Sequence, residues 1–158
     1  MKTSTDQPVC GLVDPELVAQ VVGPGELRTT GEGAVSLKAR AVRPASCSIA
    51  PADGSRPIVQ VRIGEVVDSA DFWRKRLKQE AEKAGCDLRY TDDPGYGYTC
   101  DYDSGLYNPG SSVEVLRGDR IIRVVAYKWS GSTHNQRVEI GEKIALSADE
   151  NLTTYDKK

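Results

Sequence analysis

The sequence predicts an α+β domain in which helices pack on an antiparallel β-sheet and two disulfides cross-link the chain. Helical and strand-like segments follow one another in the order α-β-β-β-α-β-β-β-β-α, and several connections are too short for parallel crossovers. The four cysteines are an even number, which favours disulfides. A length of 158 residues suits one domain with a proper core. We expect a flexible leader over residues 1–7, a single domain over residues 8–152 and a frayed tail over residues 153–158.

Three segments carry helix signals. The first begins at Asp14-Pro15-Glu16, where a capping candidate precedes proline at the first helical position. The second, from Phe72 to Ala84, follows a cap at Ser69 or Asp71. Its apolar stripe at helical spacing, which we expect to be buried, consists of Trp73, Leu77, Ala81 and Ala84. A weaker third helix is predicted over Val138 to Ala148.

Alternation of apolar and polar residues between turn signals predicts seven strands. In chain order they cover residues 35–42, 47–49, 58–67, 86–90, 97–102, 112–116 and 120–129. The last two strands form the clearest hairpin, because Gly118-Asp119 supplies a two-residue turn of the primed type between them.

The cysteines lack a CxxC pair and clustered histidines, so they favour disulfides over a metal site. Of the three possible pairings we expect Cys10 with Cys47, which ties the first helix to the early sheet. Cys86 with Cys100 would then close a pair of strands. Disulfides indicate an oxidising compartment, so we expect a secreted or envelope-located protein with an export signal upstream of this sequence.

Charge and motifs exclude several classes of function. A formal net charge of −2 gives no general attraction to phosphate backbones, so no nucleic-acid partner is expected. Asp101-x-Asp103-x-Gly105 opens like a calcium loop, but glycine occupies the third ligand position and the glutamate offset is wrong. We therefore expect no metal and no cofactor. The single histidine, His134, is expected on a surface loop, since no Gly-x-Ser-x-Gly elbow supports a catalytic triad.

Acids and tyrosines concentrate between residues 90 and 107, which is the most distinctive composition in the chain. The candidate binding residues there are Asp92, Asp93, Tyr96, Tyr98, Asp101, Asp103 and Tyr107. Period-two alternation places Tyr96, Tyr98, Cys100 and Tyr102 on one face of a strand. These tyrosines are interpreted either as core packing or as a binding surface extended by Tyr107 and Trp129. The acids favour a basic partner.

The spacing of three segments resembles a family of small secreted lipoproteins of unknown function from actinobacteria. They are Cys10-Gly11-Leu12-Val13-Asp14-Pro15-Glu16-Leu17-Val18, Cys47-Ser48-Ile49 and Phe72-Trp73, and in order of elements the resemblance covers most of the chain. It departs at Ile49, where the family often has tryptophan. The resemblance implies a PsbP-like antiparallel sheet covered by helices and no catalytic residues. Membrane anchoring would require a lipidated cysteine upstream, because Gln7-Pro8-Val9 before Cys10 is not a lipobox.

Three functional hypotheses follow. The first is a non-catalytic extracytoplasmic binding or accessory domain with a protein or small-molecule partner. The second is a secreted inhibitor or immunity-type protein that inserts residues 92–96 or 108–112 into a target enzyme. The third is a hydrolase that uses a carboxylate pair such as Asp92 and Asp101.

Overall fold

The computed structural model describes residues 9–10, 12–22, 26–30, 45–52, 57–65, 69–90, 96–102, 109–118, 120–128 and 132–156. In this part of the chain the elements are, in order, α1 Pro15–Val22, β1 Leu27–Thr30, β2 Ala45–Pro51, β3 Val59–Glu65, α2 Ala70–Ala84, β4 Asp87–Tyr90, β5 Tyr96–Tyr102, β6 Gly110–Arg117, β7 Arg120–Tyr127 and α3 His134–Asp156. The seven strands form one antiparallel sheet in the order β1-β2-β3-β7-β6-β5-β4. The predicted α+β class is confirmed.

The two faces of the sheet differ in their cover. One face, here called the α3 face, carries the apolar residues of the central strands, such as Val61, Val113 and Val124. Helices α1 and α3 cover this face, and their buried side chains join those of β2, β3 and β7 in one cluster. The opposite face, here called the α2 face, carries Glu114 and Arg123, which are register partners on β6 and β7.

Helix α3 covers the apolar core on the α3 face of the sheet. It contributes Ile140, Ile144, Ala145 and Ala148 to the cluster that contains Ile122, Val124 and Ala126 of β7. The segment before α1 docks on the same helix: the Asn151 amide donates a 2.8 Å hydrogen bond to the Leu12 carbonyl, and the Asp14 N–H donates one of 2.9 Å to Ser147 Oγ. Leu12 and Val13 are fully buried there.

Helix α2 lies over β4 and β5 on the other face. Its cap is Ser69, one of the two predicted candidates, whose Oγ accepts a hydrogen bond from the Phe72 N–H. Leu77 and Ala81 are buried as predicted, whereas Ala84 is exposed. Trp73 is intermediate between buried and exposed, its indole Nε1 is shielded from solvent, and its ring packs edge-on against Phe72 at the start of the helix.

Two elements differ from the sequence-based expectations. The first strand is Leu27–Thr30, which the alternation pattern missed, while the predicted strand over residues 35–42 lies outside the described residues. Helix α3 begins at His134 rather than Val138 and continues to Asp156, so residues 153–156 of the predicted frayed tail are helical. A capping box explains the early start, since Thr133 Oγ1 accepts from the Gln136 N–H and the Gln136 side chain accepts from the Thr133 N–H.

Both predicted disulfides are confirmed. Cys10 is bonded to Cys47 across a Cα separation of 6.2 Å, and Cys86 to Cys100 across 4.8 Å. The first bridge ties the N-terminal segment to β2 on the α3 face, where Cys47 is buried. The second joins Cys86, two residues after the end of α2, to β5. Each bridge thus fixes a helical segment to the sheet.

Replacing Leu77 by alanine should lower the free energy of unfolding by about 2–5 kcal/mol, because the side chain is 1% exposed and the change leaves a cavity under α2. Leu88→Ala is the matched control, since Leu88 is 41% exposed on the neighbouring edge strand and its truncation should cost less than about 1 kcal/mol. Urea unfolding of the oxidised protein measures both. Equal losses in the two variants would contradict the packing of α2 described here.

Candidate functional site

A groove of about 330 Å³ lies on the α2 face, over the part of the sheet formed by β2, β3 and β7. Its lining residues are Ser46, Cys47, Ser48, Gln60, Val61, Arg62, Tyr102, Arg123 and Val125. Period-two alternation explains the polar character of this lining, because Val59, Val61 and Ile63 of β3 face the core and leave Gln60 and Arg62 on the opposite side. The volume lies within the range of small-molecule sites in proteins.

Hydrogen bonds order the floor of the groove across three strands. The Tyr127 hydroxyl donates to Gln60 Oε1 at 2.7 Å, and Gln60 Nε2 donates to Ser48 Oγ at 3.1 Å. Tyr127 is buried, so the chain of bonds starts inside the protein and ends at a partly exposed serine. Since Ser48 Oγ accepts in this pair, its hydroxyl hydrogen can be donated to a ligand.

Tyr102 lines the groove next to this floor and packs against Tyr127. The rings of Tyr102 and Tyr127 meet edge to face with centroids 5.9 Å apart, although they lie on β5 and β7 with β6 between them. Gly110 of β6 is the register partner of both tyrosines. A Cβ built on Gly110 would overlap the Ala126 carbonyl oxygen, so the absence of a side chain lets the backbones of β6 and β7 approach closely at this position.

Two arginines stand directly opposite each other at the groove. Arg62 of β3 and Arg123 of β7 are register partners, and both side chains are exposed. The Arg123 guanidinium lies 5.4 Å from the centre of the Tyr102 ring, within the range of a cation–π contact. Like charges directly opposite on neighbouring strands are destabilising, so this pair has no evident benefit for the sheet alone.

A second polar cluster joins α2 to the sheet at Tyr98, one of the predicted candidates. Its hydroxyl donates a short hydrogen bond to Glu114 Oε2 on β6 and lies 3.4 Å from Glu80 Oε2 on α2. Arg76 holds the other Glu80 oxygen at 3.2 Å. Burial of the hydroxyl, followed by the hydrogen bond and charge of Glu114, raises the pKa of Tyr98 above its usual value. The phenol therefore stays protonated and bridges two carboxylates.

His134 lies at the first position of α3 rather than on the expected surface loop. Its Nδ1 is 2.8 Å from Ser111 Oγ and 3.0 Å from Asp101 Oδ1, and Arg137 Nε also donates to Ser111 Oγ at 3.1 Å. In a hydrolase triad the acid and the nucleophile contact opposite ring nitrogens. Here both contact Nδ1, so the arrangement fits a cluster that fixes the start of α3 against β5 and β6.

Of the remaining candidate residues, the structure describes Asp101 and the backbone of Tyr96. Asp101 is described, but it lies on the α3 face beside His134, with its side chain 89% exposed. For Tyr96 only the backbone is described, as the first residue of β5. The other candidates, which are Asp92, Asp93, Asp103 and Tyr107, lie outside the described residues, and so does Trp129. The acid-and-tyrosine cluster is therefore not seen as one surface.

Sequence reasoning missed the arginines of the groove, although a signal for each exists. Arg62 alternates with buried Val61 and Ile63 in a strand that was predicted. Arg123 is the one charged residue between Ile121 and Tyr127, in an otherwise apolar run. An isolated charge inside a buried strand marks a position that faces away from the core or toward a partner.

Metal-binding clusters and membrane-spanning helices are absent from the described part of the chain. Among the described residues, no group of three or more His, Cys, Asp or Glu side chains is placed to hold a metal ion. No helix in the described ranges has the length and apolar character needed to cross a bilayer. Comparison with protein-family models and with curated proteins finds no match to this chain.

The free energy of unfolding should fall as the pH rises above about 10, because Tyr98 then ionises in the unfolded chain while its raised pKa keeps it protonated in the folded protein. Below that pH, Tyr98 makes its full contribution to the free energy of unfolding. Tyr98→Phe should show a smaller decline, and Tyr102→Phe, which retains Tyr98, should decline like the parent. Chemical unfolding at a series of alkaline pH values measures the slopes. Identical slopes for Tyr98→Phe and the parent protein would show that Tyr98 does not cause the alkaline loss of stability.

Proposed function

We propose that the protein is a non-catalytic binding or accessory domain that acts outside the cytoplasm and binds its ligand in the groove on the α2 face. The observation that carries this proposal is the groove itself, with a floor ordered by the Tyr127, Gln60 and Ser48 hydrogen bonds. Polar side chains whose orientation is fixed before binding lose little conformational entropy when a ligand arrives. A rigid sheet that presents such side chains suits recognition.

The two disulfides support the extracytoplasmic part of the proposal. They are consistent with an oxidising compartment, since such bonds are rare in the cytosol of most organisms. The resemblance of the Cys10, Cys47 and Phe72-Trp73 segments to secreted actinobacterial lipoproteins agrees with this location. We therefore assign the protein to the extracellular space or to the outer face of the cytoplasmic membrane.

The two other hypotheses have less support from the described residues. For the inhibitor hypothesis, residues 110–112 of the proposed insertion loop belong to β6, where Ser111 and Ser112 are buried. For the hydrolase hypothesis, Asp101 pairs with His134 at the start of α3. Residues 92–95 of the other insertion loop, including Asp92 of the carboxylate pair, lie outside the described residues, so among the described residues the groove is the favoured site.

Protein isolated from its native cells should contain two intramolecular disulfides, Cys10 with Cys47 and Cys86 with Cys100. Non-reducing peptide mass mapping with alkylation at the moment of lysis distinguishes these bonds from later oxidation. We expect no alkylated cysteine from the mature protein. Four alkylated thiols would contradict the extracytoplasmic assignment, whatever the groove binds.

A small-molecule fragment library of mixed charge should give binders whose effects concentrate on the groove. In ¹H–¹⁵N NMR spectra of the oxidised protein, saturable shifts should fall on backbone amides of β2, β3 and β7. Ser46→Trp should abolish them, because Ser46 lines the groove and an indole there would occupy it. Glu139→Trp on exposed α3 is the control and should leave binding unchanged.

Two outcomes would refute the proposed site. One is that Ser46→Trp binds the same fragments with the same affinity. The other is that the shifts concentrate around the exposed apolar side chains of Phe72 (48% exposed) and Leu88 (41% exposed) instead of the groove.

A further inference from the structure

Resting on the proposed binding function, we propose that the groove holds its ligand through an oxyanion, a carboxylate or a phosphate group, bound between the guanidinium groups of Arg62 and Arg123. The adjoining flat, apolar part of the ligand packs against Tyr102. This assignment names the chemical class of the ligand, and it is opposite in charge to the basic partner that the acidic segment of the sequence suggested.

The register of the sheet brings the two positive charges together. Arg62 and Arg123 are direct partners in the β3–β7 pair, so their Cβ atoms are separated by about 4.5–5.5 Å and their side chains rise from the same face. Both are exposed at the rim of the groove that they line. Guanidinium groups carry planar donor forks that match carboxylate and phosphate oxygens.

Within the described part of the chain, neither arginine of this pair forms an ion pair, although the acidic Glu114 is the register partner of Arg123 on the same face. None of the ion pairs among the described residues includes Arg62 or Arg123. Glu114, which lies opposite Arg123 on β6, accepts the hydrogen bond of the Tyr98 hydroxyl and forms no ion pair with the arginine. An anion in the groove would be a counter-charge that no ion pair among the described residues gives the two guanidinium groups.

Neighbouring groups set the position and the polarity of the site. Contact with the Tyr102 ring orients the Arg123 guanidinium before any ligand binds. Tyr102 is itself held by its edge-to-face contact with buried Tyr127. On the β2 side, the Ser48 hydroxyl can donate to a ligand oxygen, since its Oγ already accepts from Gln60. The groove therefore offers a hydroxyl donor on the β2 side and the Tyr102 ring on the β5 side of a central pair of positive charges.

The test uses four aromatic probes that share one ring and differ in the attached group. Benzoate carries a carboxylate, phenyl phosphate carries a phosphate, benzamide is the neutral isostere of benzoate, and benzamidine is a cation. Each is titrated into the oxidised full chain at millimolar concentration and low salt, with NMR shifts of β3 and β7 amides as the readout. We expect at least one of the two anions to bind about tenfold more tightly than benzamide, since hydrogen bonds to charged groups are stronger than neutral ones.

Variants of the two arginines test whether binding depends on the positive charge alone or also on the planar shape of the guanidinium group. Arg62→Gln and Arg123→Gln should each weaken binding of the preferred anion about tenfold or more. Arg62→Lys keeps the charge but loses the planar fork, so its binding should lie between the parent and Arg62→Gln. Lys143→Gln removes the same charge from exposed α3, on the other face of the sheet, and should leave the affinity unchanged. Circular dichroism and thermal unfolding confirm that each variant is folded.

The outcomes distinguish this inference from the proposed function. A preference between phenyl phosphate and benzoate, lost in both glutamine variants, supports the inference and identifies the oxyanion. Binding of benzamide as tight as that of the anions, with the same groove amides shifted, overturns the oxyanion assignment and leaves the groove as a binding site. Absence of saturable groove shifts with either anion overturns the inference, while the mixed-charge fragment screen decides the proposed function separately.

Discussion

The antiparallel register between β3 and β7 is the constraint on which the rest of the structure depends. It places Val61 opposite Val124 and Ile63 opposite Ile122, so both strands direct their apolar side chains to the face that α3 covers. Because side chains alternate along a strand, a slip of one residue would turn this apolar set toward solvent. The burial of these four residues therefore fixes the register, and the same register brings Arg62 and Arg123 together on the other face. The strand pairing that forms the apolar core therefore also positions the two arginines of the groove.

Among the described helices, α2 is the one on the α2 face, and it packs on β4 and β5 rather than over the groove. Helix α2 is tied to β5 by the Cys86–Cys100 bridge, which follows the end of the helix, and by the Tyr98 hydroxyl between Glu80 and Glu114. Both attachments hold the helix over the β4–β5 half of the sheet. The other bridge anchors the N-terminal segment on the opposite face, at buried Cys47. The helices and both disulfides thus leave the described surface over β2, β3 and β7 uncovered.

Local signals made much of the fold predictable, whereas contacts between distant segments did not. Asp14-Pro15 and the Ser69 cap marked two helices correctly, and Gly118, with a φ of 58°, supplies the left-handed residue that the predicted hairpin turn needs. The early start of α3 could have been found from its capping box, but the position of its first residue, His134, beside Ser111 and Asp101 depends on how α3 packs across β5 and β6. The groove was less predictable still, since its two arginines become neighbours only through strand pairing. Composition instead drew attention to the acids and tyrosines of residues 90–107, of which Tyr98 proved to be an attachment point for α2.

Net charge is a poor guide to the potential at a particular site, and the groove shows why. The whole chain carries −2, yet strand pairing concentrates two positive charges on one small area of the sheet. Their mutual repulsion opposes the β3–β7 pairing that the apolar core enforces. An anion bound between the two arginines would turn their destabilising effect on the β3–β7 pairing into a stabilising one. Each guanidinium would then be attracted to the ligand as well as repelled by its neighbour. A ligand that binds only the folded state also raises its stability by mass action. Binding of such an anion would therefore stabilise the central strands through the same pair of side chains.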